Sequence, residues 1–344
     1  MAEKRKRTEI STLGEFGLIE HLTKGFKSLQ KSTMKGVGDD AAVIAVGEKL
    51  MVVTTDLLLE GIHFDLTYTP LQHLGYKAVV VNLSDVYAMN ATPTQITVSI
   101  GVSAKLAVED LDELYAGIQM ACEHYGVDMV GGDTSASLTG LTISITAIGE
   151  APKESITYRS GAQVNDLICL SGDLGAALMG LQILEREKQV FQQTGLEQPQ
   201  LEGYDYVLKR ILKPEARVGT IEMLKEAGIK PTSMIDISDG LSSELRHICK
   251  ESGVGCRVYL EKIPIAAETF KVCEELNFDA VTAALNGGED YEMLFTIRQE
   301  DVEKIHGLSG VDVIGHITGA STGAFLVTPD GRDIELQAQG WVDC

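Results

Sequence analysis

Six acidic strings, most of them closing an apolar run, constrain this chain more than any other feature. Val37-Gly38-Asp39-Asp40-Ala41-Ala42 comes first, then Leu50-Met51-Val52-Val53-Thr54-Thr55-Asp56 and Val79-Val80-Val81-Asn82-Leu83-Ser84-Asp85. Met129-Val130-Gly131-Gly132-Asp133-Thr134, Met234-Ile235-Asp236-Ile237-Ser238-Asp239-Gly240 and Leu285-Asn286-Gly287-Gly288-Glu289-Asp290 complete the set. Carboxylates at element ends can converge on one cleft, where they repel one another. Two bare charges about 4 Å apart cost on the order of 4 kcal/mol at an effective dielectric near 20. Gathering so many acids therefore requires cations. The economical reading is a site for several magnesium ions, and magnesium with few protein ligands usually holds substrate phosphates.

A length of 344 residues predicts two domains, and 44% hydrophobic residues predict a well-packed globular protein. The net charge of −21 excludes nucleic acid as a natural partner, because its phosphates would be repelled. Lys4-Arg5-Lys6-Arg7 is the one basic cluster. It lacks a following apolar segment, so it reads as a disordered arm and not as a secretory signal. No apolar stretch approaches the roughly 20 residues that span a bilayer, so no membrane partner is expected. The six cysteines form no C-x-x-C pair. They predict neither zinc nor a disulfide framework, and they point to the cytoplasm.

Periodicity predicts an α/β (α+β) chain. Glu15 to Leu22 has helical spacing after Ser11 and Thr12 as caps, and Ala42–Val46 with Met51–Thr55 reads as a hairpin. Gly75 to Asn90 reads as a helix with Ala78, Asn82 and Asp85 on one face. Gln95 to Val102 reads as a strand, Val108 to Tyr125 as a helix, and Leu141 to Ile148 as a strand. The polar passage Glu150 to Asn165 is taken as the junction, giving domains 1–150 and 151–344. Beyond it come strand Asp166–Leu170, helix Ala176–Glu187, a glutamine-rich loop over Lys188–Tyr204, and a helix from Lys213-Pro214 to about Ala227. Strand Ser233–Ile237 then leads into helix Leu241–Ser252.

Each motif has a plain structural alternative. Asp39 and Asp40 can form an Asx turn. Thr54, Thr55 and Asp56 offer hard oxygen ligands at an expected strand end. Asp85 lies on a largely apolar helix, where either metal ligation or an internal hydrogen bond would resolve its desolvation cost. Gly132-Asp133 is either a tight turn or a place of close nucleotide approach. Asp236-Ile237-Ser238-Asp239-Gly240 is the sharpest string, since helix capping explains one carboxylate there but not two. Gly172-Asp173-Leu174-Gly175 can hold an anion or simply pack a helix on a strand. There is no P-loop and no kinase H-R-D or D-F-G string.

Taken together and in this order, the strings resemble the thiamine-monophosphate kinase family of the AIR-synthetase-like ATP-binding superfamily. Gly14-Glu15-Phe16, Gly61-Ile62-His63-Phe64, Tyr76-Lys77-Ala78, Arg159-Ser160-Gly161 and Gly287-Gly288-Glu289-Asp290-Tyr291-Glu292 add to the match, which spans almost the whole chain. The resemblance implies a two-domain AIR-synthetase-like fold: an N-terminal mixed sheet with helices that forms a barrel across a homodimer, and a C-terminal α/β domain. It implies ATP-dependent phosphorylation of thiamine monophosphate to thiamine diphosphate, with several magnesium ions per site. Asp40, Thr54, Thr55, Asp56, Asp85, Asp133, Asp236 and Asp239 are then the metal ligands. Gly132, Asp133, Arg159, Ser238 and Tyr115 contact ATP, and His63, Glu289 and Trp341 contact thiamine monophosphate. The tail departs from the family, reading Gly340-Trp341-Val342-Asp343-Cys344 where an aromatic followed by Asp-His-Phe is common. No catalytic side chain beyond the metal ligands is expected, because a phosphate acceptor is already ionised at neutral pH. The alternatives are another ATP-dependent enzyme of the superfamily, of aminoimidazole ribonucleotide synthetase or hydrogenase-maturation type, and a non-catalytic magnesium-nucleotide-binding protein.

Overall fold

The computed structural model describes residues 12–195 and 199–337. Its first sheet has six strands: β1 (Thr33–Lys35), β2 (Ala42–Val46), β3 (Lys49–Leu59), β4 (Thr92–Ser103), β5 (Asp128–Ser137) and β6 (Thr142–Pro152), in the order β1-β2-β3-β6-β4-β5. All neighbours are antiparallel except β4 and β5. A parallel pair needs a crossover, which α3 (Val108–Tyr125) supplies. Helix α2 (Leu71–Ala88) lies against β3, β4, β6 and α3. It is buried almost all round, which is why its sequence reads as a continuous apolar run. Two glycines set how close α2 and α3 come. A Cβ on Gly75 would stand 2.0 Å from the Leu114 carbonyl oxygen, and one on Gly117 would stand 1.9 Å from that of Gln72.

Burial alternates along β6: Ile143, Ile145 and Ala147 face the helices, while Thr142, Ser144 and Thr146 face away. Strand β5 closes the sheet as an edge, and nearly every residue on it is exposed.

The second sheet has seven strands: β7 (Leu167–Ser171), β8 (Ser233–Asp236), β9 (Val254–Tyr259), β10 (Met293–Ile297), β11 (Val311–Gly319), β12 (Ala324–Val327) and β13 (Asp333–Glu335), ordered β13-β12-β9-β11-β7-β10-β8. Only β9 and β12 pair in parallel. Its helices are α4 (Ala176–Thr194), α5 (Asp205–Leu212), α6 (Val218–Glu226), α7 (Leu241–Ser252), α8 (Ala267–Leu276), α9 (Ala280–Asn286) and α10 (Val302–Ile305). A further helix, α1 (Gly14–Thr23), precedes the first sheet. Strand β8, at the edge of the second sheet, contacts α2 of the first unit. That contact brings the ends of elements from both units together.

The structure departs from sequence expectation in four places. Helix α4 runs on through Lys188 to Thr194, so Lys188–Tyr204 is not a loop throughout. Thr54, Thr55 and Asp56 sit in the middle of the 11-residue strand β3, not at its end. Gly132 and Asp133 lie within β5 and not in a turn. The N-cap of α1 is Leu13, not Thr12, and has no side-chain cap; Ser11 and the basic cluster at residues 4–7 lie outside the described residues. Among the described residues no helix is long and apolar enough to cross a membrane.

Candidate active site

Asp40, Asp85 and Asp236 come from three separate elements: the turn before β2, the last turn of α2, and the final residue of β8. One carboxylate oxygen from each lies within 4.8 Å of the others. Hydroxyls steady two of them. Thr54 Oγ1 donates to Asp85 Oδ2 at 2.6 Å, and Ser84 Oγ donates to Asp236 Oδ2 at 2.5 Å. Arg159 grips Asp40 Oδ1 with Nη2 at 2.7 Å and Nε at 3.2 Å. Its backbone N–H donates to Asp39 Oδ1 at 3.0 Å. Asp56, halfway along β3, is held by its backbone N–H, which donates to Asn82 Oδ1 at 3.1 Å.

Asp39, Asp40, Asp56 and Asp85 line a cavity of about 1200 Å³ between the two units. Burial raises the Asp40, Asp56, Asp85 and Asp236 carboxyls above their ordinary range. For Asp85 the charges of Asp56, Asp236 and Asp40 push further in the same direction. Asp40 Oδ2 is buried with no hydrogen-bond partner. An unpaired buried oxygen beside two more carboxylates and a threonine hydroxyl is an all-oxygen donor set, which suits a hard divalent cation.

Ser238 and Asp239 face the same cavity from the turn before α7. The Asp239 N–H donates to Glu244 Oε1 at 3.0 Å. Glu244 is a buried acid that sequence reasoning missed, and burial together with Asp239 raises its carboxyl well above the usual range. Its position in the first turn of a helix that follows an acidic string was the available signal.

Glu289, Lys77 and His63 also line this cavity. Lys77 Nζ stands 2.5 Å from Glu289 Oε2. His63 Nδ1 accepts from the Leu59 N–H at 3.1 Å, and burial lowers the imidazole's pKa, with Glu289 and Lys77 acting in opposite senses. Lys77 is a buried cation in an apolar helix, a placement that only a partner or a ligand makes tolerable. Sequence reasoning quoted its motif without giving it a role.

Most residues expected at the site meet here: Asp40, Thr54, Thr55, Asp56, His63, Asp85, Arg159, Ser238, Asp239 and Glu289 line the cavity, and Asp236 lies beneath it. The Thr55 hydroxyl, however, is turned onto the Ile145 carbonyl at 3.1 Å. Gly132, Asp133 and Tyr115 stand outside the cavity of their own chain, on β5 and α3. Gly132 has a local reason to be glycine, since a Cβ there would lie 1.8 Å from the Val98 carbonyl oxygen on β4. Trp341 lies outside the described residues.

Two consecutive sheets that meet at an acidic cleft correspond to two family models, "AIR synthase related protein, N-terminal domain" over residues 38–151 and "AIR synthase related protein, C-terminal domain" over residues 163–327. The chain is thus of the AIR synthase related class. The thiamine-monophosphate kinase of Aquifex aeolicus is 33% identical over 332 residues, covering 96% of this chain and 98% of that protein. That of Bacillus subtilis is 30% identical over 336 residues, covering 96% and 99%. A solved structure described as "AaThiL complexed with AMPPCP and TMP" superposes with a TM-score of 0.84 at 31% identity, covering 97% of this chain and 98% of the other. Within the class, this chain belongs to the thiamine-monophosphate kinase family.

Proposed function

We propose that this chain transfers the γ-phosphoryl group of ATP to thiamine monophosphate, giving thiamine diphosphate and ADP. The observation that carries the reading is one cavity that brings together two unlike groups: converging carboxylates, and the Lys77–Glu289 pair with His63. Asp40, Asp85 and Asp236, with Asp56, Asp239 and the Thr54 hydroxyl, would hold several magnesium ions, and Thr55 keeps its proposed place beside them. Bound magnesium supplies neutralisation of phosphate charge that would otherwise keep donor and acceptor apart.

The chain's own residues orient the reaction. Arg159, fixed by Asp39 and Asp40, presents a permanent cation beside the acids and is the proposed contact for ATP, together with Ser238. Lys77, Glu289 and His63 hold the acceptor, and Trp341 remains proposed with them. An acceptor phosphate oxygen attacks the γ-phosphorus in line and ADP departs. A phosphate monoester has a second pKa near about 6, so no side chain need remove a proton. With Nδ1 accepting from the Leu59 N–H, a neutral His63 carries its proton on Nε2, where it can be donated to the acceptor as a hydrogen bond.

The same reading includes a homodimer. The uncovered face of β6 and the edge strand β5, with Met129 42% and Val130 58% exposed, support a sheet-to-sheet contact between copies. Gly132, Asp133 and Tyr115 enter the reading only by this route, facing the cavity of a second copy. The domain limits 1–150 and 151–344 remain part of it, as does a cytoplasmic location, supported by five cysteines left as thiols among the described residues.

Three experiments test these statements. ATP consumption should depend on thiamine monophosphate and not on the acceptors of related enzymes. Turnover with one of those other acceptors in place of thiamine monophosphate, or ATP binding with no acceptor-dependent turnover, would favour the superfamily and non-catalytic alternatives in turn. His63→Ala and Glu289→Ala should each raise the acceptor KM by about tenfold or more, with the ATP KM changed by less than about threefold. Steady-state kinetics with both substrates varied checks this, and a rise confined to ATP would place both residues on the wrong substrate. Val130→Glu on β5 should yield a monomer by analytical ultracentrifugation, with most activity lost. A wild-type chain that sediments at 37.1 kDa and remains active would remove the dimer from the reading.

A further inference from the structure

Five described non-glycine residues have a positive φ, and three of them are asparagines, the residue type that tolerates it. The other two are Glu289, at φ 55°, and Tyr291, at φ 52°, and both line the cavity. A glutamate and a tyrosine hold such a backbone only where the surroundings over-determine it. Their neighbours Asp290 and Glu292 are 1% and 0% exposed and lie on the opposite side, away from the cavity.

The restraint comes from behind. The Glu289 N–H donates to the Ser238 carbonyl at 2.7 Å and the Tyr291 N–H to that of Ile237 at 2.8 Å. Asp290 accepts from the Gly175 N–H at 2.8 Å, at the start of α4. Arg210, on α5, then ties the acids together. Its Nη1 donates to Glu292 Oε1 at 2.8 Å, and its Nη2 donates to the Asp173 carbonyl at 2.8 Å and to the Asp290 carbonyl at 3.3 Å. Nη2 also lies 3.4 Å from Asp290 Oδ1. Arg217 and the Ser171 hydroxyl complete the shell of Glu292.

We propose that Arg210 is a positioning residue for the acceptor side: acting through Asp290 and Glu292, it holds Glu289 and Tyr291 in their left-handed conformations. It thereby fixes the carboxylate of Glu289 against Lys77. A guanidinium fork reaches Glu292, Asp290 and the Asp173 carbonyl from two separate nitrogens, whereas an ammonium offers its three donors from a single point. The proposal rests on the phosphoryl-transfer reading only in taking Glu289 as part of the acceptor side.

Two readouts test it, one independent of activity. Arg210→Ala leaves buried Asp290 without its cation and Glu292 with Arg217 alone, and can fail to fold. The variant of choice is therefore the charge-balanced pair Arg210→Gln with Glu292→Gln, with Arg210→Lys beside it. In hydrogen exchange by mass spectrometry, the amides of Glu289 and Tyr291 should exchange at least about tenfold faster in the double variant, with α2 unchanged. In kinetics, the acceptor KM should rise about tenfold while the ATP KM stays within about twofold, and Arg210→Lys should fall between the double variant and wild type. Unchanged exchange at residues 287–292, an equal rise in both KM values, or a double variant that does not fold would each overturn the proposal. If the wild-type chain does not use thiamine monophosphate, the functional reading fails while the exchange experiment still decides the role of Arg210.

Discussion

Asp85→Asn should reduce turnover by at least about two orders of magnitude, on the scale of removing one preorganised charge-stabilising group, while leaving the metal-free protein no less stable than wild type. The two halves of this expectation follow from one geometry. Asp85 shares its site with Asp40 and Asp236, each offering an oxygen within 4.8 Å of the others, and their charges push its carboxyl up in addition to burial. Asparagine keeps the shape and can still accept the Thr54 hydroxyl that now rests on Asp85 Oδ2. It removes one of the repelling charges and one anionic ligand. An ordinary core lesion behaves in the opposite way, losing stability first and activity only in consequence. Differential scanning fluorimetry with and without magnesium and ATP, paired with turnover at saturating magnesium, separates the two. A variant that melts much lower without metal yet keeps the full ligand-induced shift would make Asp85 a structural residue.

The acids of this site were legible in the sequence because most of their strings close an apolar run, where an unpaired carboxylate is expensive. Their partners were harder to see. Lys77 sits in the same apolar helix as Asp85, and nothing local says that Glu289, more than two hundred residues away, will meet it at 2.5 Å. Arg210 and Arg217 look like surface cations until the fold buries Glu292 beneath them. Glu244 reads as an ordinary first-turn glutamate of α7, and its burial arises only from the neighbouring Asp239 turn and the cavity wall.

The secondary structure was lost where helical faces are not buried. The last turns of α4 expose Val190 and Phe191, so the glutamine-rich stretch carries no apolar stripe and reads as loop. Helix α5 is only eight residues long, with Val207, Leu208 and Ile211 buried, too short for periodicity to stand out after a polar segment. Expecting Thr54–Asp56 at a strand end failed for a related reason. The apolar run stops at Thr54, but β3 continues to Leu59 because β6 pairs with it residue for residue as far as Thr142.

The melting shift produced by magnesium and ATP should be small near pH 5 and should grow to its full size by about pH 8. The folded-state pKa values of Asp40, Asp56 and Asp236 are raised to about 7, about 6 and about 6, against an unfolded value of 3.8. A raised carboxyl holds its proton in the native state after the unfolded chain has released it. Between pH 4 and 7 the native state therefore binds more protons, and its metal-free stability falls as pH rises. Buried histidines act in the other direction. His247, held near 4 chiefly by burial, makes the native state lose stability below the ordinary histidine range. A simple pH profile of the free protein therefore mixes two opposed trends. The ligand-induced difference reports on the carboxylates because cations compete with protons for the same oxygens, and comparison with Asp85→Asn separates them from the phosphate of ATP, which itself titrates at about 6. At a hundredfold excess over the dissociation constant the gain should reach about 2.7 kcal/mol, or several degrees at roughly 2–4 °C per kcal/mol. Asp85→Asn should flatten the rise between pH 5 and 8. A shift of equal size at both ends of that range would mean that the ligand does not meet these carboxylates, and the metal assignment would have to be moved elsewhere in the cavity.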